Sequence, residues 1–113
     1  MAVTDSGFYG SEVKFVVEIT SPGFDMVRDD FQIEVKRGST SRVFSKSDLV
    51  VETTTETINN AVVEKTNYYL CFDTHEFGKG LLTAIITAHV PDMDFPDGIR
   101  DEVDKFDFFN VKW

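Results

Sequence analysis

The segment Leu81-Leu82-Thr83-Ala84-Ile85-Ile86-Thr87-Ala88-His89-Val90-Pro91 is apolar or small almost throughout and ends at a proline. Proline has no amide hydrogen to give to a sheet ladder, so Pro91 bounds a strand, and a run this apolar predicts a central strand covered on both faces. Thr83, Thr87 and His89 interrupt it, and it is far shorter than the ~20 apolar residues a membrane-crossing helix needs. Upstream, Gly78 and Gly80 supply backbone freedom for the reversal into this strand. Tyr68 to Phe72 forms the strand before them, with Tyr68, Leu70 and Phe72 facing opposite to Tyr69 and Cys71. Further back, Val50 to Ile58 and the strand opening at Ala61-Val62-Val63 flank Asn59-Asn60, a pair that tolerates the left-handed turn of a tight hairpin.

The amino-terminal half alternates in the same way. Val13, Phe15, Val17 and Ile19 share one strand face against Lys14, Glu18 and Thr20, and Ser21-Pro22-Gly23 breaks the strand. Phe31, Ile33 and Val35 alternate with Gln32, Glu34 and Lys36, and Arg37 to Ser41 reverses the chain into a partner at Arg42 to Ser45. Lys46 to Leu49 predicts a single helical turn capped by Ser45 or Ser47, with Leu49 tucked beneath. Downstream of Pro91, an acidic loop leads to Ile99–Asp107 and the aromatic tail Phe108-Phe109-Asn110-Val111-Lys112-Trp113. Seven or eight short strands and no helical stripe predict an all-β chain, an antiparallel immunoglobulin-like β-sandwich of about seven strands, with a small β-barrel as the competing architecture. The expected organisation is a flexible or docking arm over residues 1–11, rich in Gly and Ser, and a single sandwich domain over 12–113.

The 113 residues suffice for one core without staples, and a single cysteine cannot form an internal bridge. No basic leader with an apolar stretch opens the chain, so synthesis in a reducing cytoplasm and a soluble product are expected. Twenty acidic against eleven basic side chains give a net charge of -9, which repels phosphate backbones, so neither nucleic acid nor membrane is expected as a partner.

Candidate chemistry is sparse. Asp92, Asp94 and Asp97, beside Gly98, have the oxygen chemistry of a calcium loop, but Pro96 and Val103 stand where an EF-hand places a ligand and a glutamate. The favoured reading is a Pro96-Asp97-Gly98 turn, with Phe95 turned inward and Arg100 forming a fork with Asp97 or Asp94. Carboxylates are available for glycoside hydrolysis, yet nothing marks an acid pair. Cys71 with His75 four residues on would need exposure and a base oriented by a third group to act as a nucleophile and reads as core packing, and two histidines with one cysteine make no zinc set. Gly78-Lys79-Gly80 lacks the frame of a phosphate loop. No catalytic residue, metal or cofactor is assigned, and no enzyme activity is expected. The aromatic extremities predict partner contacts through Phe8, Tyr9, Phe109 and Trp113, because rings dominate interface energetics.

Three stretches, Tyr68 to Thr74, Phe77 to Leu81 and Val90 to Arg100, resemble small β-rich proteins encoded in structural modules of phages and prophages of Bacteroidetes, including the crAss-like phages. The resemblance covers the carboxy-terminal part of the chain; the amino-terminal strands match in pattern only, and Thr53 to Lys65 reads as an extension. It implies a non-catalytic virion protein, an auxiliary (decorating) capsid or tail-associated subunit, present in many copies of a symmetric assembly and bound to other virion proteins. The alternative is a host-surface or glycan-binding module in which Tyr68 or Phe95 stacks on sugar rings.

Overall fold

The computed structural model describes residues 5–112. Its eight strands are β1 (Asp5–Phe8), β2 (Glu12–Val17), β3 (Phe31–Arg37), β4 (Thr40–Ser45), β5 (Val50–Ile58), β6 (Ala61–Asp73), β7 (Gly80–Pro91) and β8 (Ile99–Lys112). They form a five-stranded sheet in the order β1-β8-β7-β3-β4 and a three-stranded sheet in the order β2-β6-β5. The all-β sandwich expected from alternation is therefore present, and every strand pair is antiparallel except β1 with β8.

Short 3-10 turns at Lys46–Asp48 and Thr74–Glu76 form two of the corners where the chain passes between sheets. At the first, Asp48 Oδ2 accepts from both the Ser45 amide and its hydroxyl, and Leu49 is buried below, as the capping pattern predicts. At the second, Asp73 accepts from the His75 amide, and the wholly buried Thr74 accepts through Oγ1 from the Gly10 amide at 2.8 Å. The Thr74 amide in turn donates to the Ser11 carbonyl, so the turn between β1 and β2 is fastened to this second corner.

The core is made by one face of each sheet. Phe31, Ile33 and Val35 of β3, Phe44 of β4 and Leu82 and Ala84 of β7 meet Val13 and Val17 of β2 and Tyr68, Leu70 and Phe72 of β6. Strand β7 lies third of five, the expected spine, but only one of its faces is buried: Leu82, Ala84, Ala88 and Val90 point inward, while Thr83, Ile85, Thr87 and His89 lie half-covered on the outer face. Its run of apolar residues reflects small and β-branched side chains shielded by neighbouring strands, since no third layer covers them.

Two expectations for the chain's extremities are corrected. Residues 5–8 of the expected arm form β1, parallel to β8 with Asp5 opposite Phe109 and Phe8 opposite Lys112; Met1 to Thr4 and Trp113 lie outside the described residues. A Cβ at Gly7 would sit 2.8 Å from the Phe109 ring, so only glycine lets β1 lie this close. Phe109, expected as a partner contact, is buried by an irregularity in β8. Thr83 pairs with Asp107 and Leu82 with Phe109, leaving Phe108 unpaired as a bulge. The extra residue reverses the inward and outward parity, so Phe108 and Phe109 both turn toward the core.

Phe109→Ala is expected to cost about 3–5 kcal/mol, the usual range for a buried ring, whereas Phe106→Ala, at a half-exposed position ahead of the bulge, costs under about 1.5 kcal/mol. Urea denaturation of the two variants checks this contrast.

Candidate docking surfaces

Of the aromatic residues expected to bind partners, Phe8 is 62% exposed and Tyr9 is 38% exposed, while Phe109 is buried in the core. Tyr9 is held edge-on to His75 at 4.8 Å, and Phe8 lies beneath the Lys112 ammonium at 5.6 Å. The structure thus keeps one of the two described extremities at the surface and removes Phe109 from it. Tyr68 is likewise buried against Phe31, with ring centroids 5.8 Å apart, and is closed to a sugar; Phe95 is exposed and does not pin its loop. Cys71 also departs from expectation: its odd position on β6 sends it outward, and it is exposed.

The acidic loop is organised by an ion pair. Arg100 donates to Asp92 at 2.5 Å and to Glu102 at 3.1 Å, and Asp92 Oδ1 accepts from the Asp94 amide. The fork is therefore with Asp92, eight residues back across the loop, and not with Asp94 or Asp97. Backbone bonds from Asp92 to Gly98 and from Gly98 to Phe95 close the turn, with Gly98 at φ +72°. Among the described residues no group of three His, Cys, Asp or Glu side chains is placed to hold a metal, so Asp92, Asp94 and Asp97 are not assembled as ligands. The expected consequence is a melting temperature unchanged between millimolar calcium and chelator, since a ligand that binds the native state raises it by mass action.

Two surfaces stand out that the residue pattern marked only in part. The first is a ribbon. Val50 and Val51 of β5 pair beside the part of β6 that β2 also joins, but from Glu52 with Asn67 to Ile58 with Ala61 the two strands run on alone for seven pairs. At ~3.4 Å per residue the ribbon is roughly 20 Å long. Asn59 and Asn60 turn it with φ of 51° and 66°, the doubly left-handed geometry expected of that pair. Thr53, Thr55, Thr57 and Thr66 line one face, and Ile58, Val62 and Val63 stand exposed near the tip. A two-stranded ribbon is at best marginally stable by itself in water, so its rigidity here comes from the sheet at its base.

The second is a cleft of about 700 Å³ where the two sheets part between β2 and β8, within the ~300–1,000 Å³ range of ligand pockets. Phe15, Leu70, Ile86 and Phe108 form its apolar floor, and Glu18, Glu102 and Asp104 stand along its lip. The residues after β2 border one end and are anchored by Asp29. This carboxylate is buried, receives the Arg28 guanidinium at 2.7 and 2.8 Å, and accepts from the Asp25 amide. Lys46 donates to the carbonyls of Val27 and Asp29, tying the loop to the β4–β5 corner. The Arg28 hydrogen bonds, followed by the Asp25 amide, hold the Asp29 carboxyl at about 2 against burial, which acts the other way.

A carboxyl depressed in the folded state stabilises it above the unfolded value near 3.8, and that contribution disappears as pH falls through about 2. Asp29→Asn is therefore expected to be less stable than the parent at neutral pH, with the gap closing as acid is added through this window. Thermal melts at stepped pH measure the convergence.

Compared with protein-family models, curated proteins and solved structures, the chain matches none.

Proposed function

We propose that this protein is a non-enzymatic structural subunit of a phage particle, an auxiliary capsid or tail-associated protein that docks on other particle proteins through the β5–β6 ribbon. The observation that carries the reading is the ribbon itself: seven strand pairs beyond the support of β2, with Ile58, Val62 and Val63 in solvent at the tip. Apolar side chains held out on a stiff projection gain by burial in a neighbour, and both ribbon edges offer unpaired backbone groups to a partner's sheet. Repetition on a symmetric shell multiplies a modest contact through avidity. The net charge of -9 supports a place on the outside of such a particle, away from packaged nucleic acid.

The test has two arms. Mass spectrometry of particles purified from the source phage or prophage is expected to find the chain at a fixed ratio to the main shell or tail protein; its absence there overturns the reading. A variant in which an Asn-Gly turn joins Glu52 directly to Asn67 is expected to keep the sandwich's circular dichroism and lose incorporation. Incorporation at the parent level would remove the ribbon from the docking role.

A further inference from the structure

The five-stranded sheet is incomplete along one edge. Strand β1 covers β8 only from Phe109 to Lys112, so the outer edge of β8 from Ile99 to Asp107 has no strand partner among the described residues. Strand β2, across the cleft, is likewise the end of its own sheet. Two open edges thus frame an apolar floor, the arrangement into which an extended segment fits by adding a strand and laying alternate side chains inside.

The bulge at Phe108 decides what such a segment would meet. Ahead of it, the residues facing the cleft are those opposite Ala88, Ile86 and Ala84, namely Glu102, Asp104 and Phe106. An incoming strand would therefore place successive inward side chains beside two carboxylates and one ring. Arg100 serves Glu102 and Asp92, while Asp104 and Glu18 have no ion-pair partner among the described residues. Lysine or arginine side chains suit this lining, because their apolar stems can lie over Phe15 and Leu70 while their heads reach the carboxylates.

A second copy of this chain is a poor occupant on the same grounds. The ribbon carries Glu52, Glu56 and Glu64 against Lys65, and the Arg42 guanidinium on β4, another edge strand, is already bound to Glu76 at 2.5 Å. We infer that the cleft and the β8 edge receive an extended basic segment of a different polypeptide, with lysine or arginine alternating with apolar residues on its inward face. This inference rests on the cleft alone and stands or falls separately from the docking role of the ribbon.

The probes are a short synthetic peptide whose every second residue runs lysine, valine, lysine, valine with threonine between them, its counterpart with glutamate in place of lysine, and a peptide of the same composition in scrambled order. Fluorescence anisotropy is expected to show the basic alternating peptide binding at least about tenfold more tightly than either control, with affinity falling as salt rises. Hydrogen exchange is expected to slow at amides within Ile99–Asp107 when it binds. Asp104→Lys should weaken binding about tenfold, whereas Asp97→Lys, in the loop, should leave it unchanged. Equal binding of basic and acidic peptides, protection elsewhere without protection of this edge, or no binding would overturn the inference. So would concentration-dependent self-association that protects the same edge, which would assign it to a second copy.

Discussion

The two sheets share no ladder, so the molecule depends on the side chains that pass between them. Phe72 is the centre of that contact, with its ring 5.2 Å from Phe77, 6.1 Å from Phe108 and 6.5 Å from Phe44. Phe15 continues the line, edge-on to Phe108 at 4.9 Å and to Phe109 at 5.8 Å. Edge-to-face rings add roughly 0.5–1.5 kcal/mol per pair beyond their buried area. One unpaired residue, the bulge at Phe108, lets the last strand supply two of these rings in succession. The same parity change that closes the core at the carboxy-terminal end of β8 places Glu102 and Asp104 over the cleft at its other end.

Much of the fold was legible because alternation, turn chemistry and caps are local. Val13 and Val17, Phe31, Ile33 and Val35, and Tyr68, Leu70 and Phe72 all face inward as their spacing requires. Asn59-Asn60 and Ser45 act in the turns their side chains favour. What local pattern does not contain is pairing between distant segments. Nothing in Asp5 to Phe8 announces a parallel partner about a hundred residues on, and strict alternation through Phe106 to Phe109 misassigns half the rings, since a bulge is visible only against the partner strand.

The surfaces were less legible still, for the same reason. The hairpin from Val50 to Asn67 was readable as two strands, but its isolation follows from where β2 ends, at Val17 opposite Tyr68. The cleft is invisible in sequence because its floor and lip come from five strands and one loop. Conversely, the acidic loop drew attention by composition, yet Arg100 and backbone turns account for its order. Local density of charge is a weaker guide here than the endpoints of ladders.

The parallel closure of β1 on β8 has a mechanical meaning. Because Asp5 lies beside Phe109 and Phe8 beside Lys112, tension on the two chain ends slides the strands lengthwise past each other instead of peeling them apart. All bonds of that short clamp, with the Tyr9 amide on the Lys112 carbonyl at 2.6 Å beyond it, then bear the load together. A clamp built this way yields abruptly at a high force, and does not unravel bond by bond at a low one.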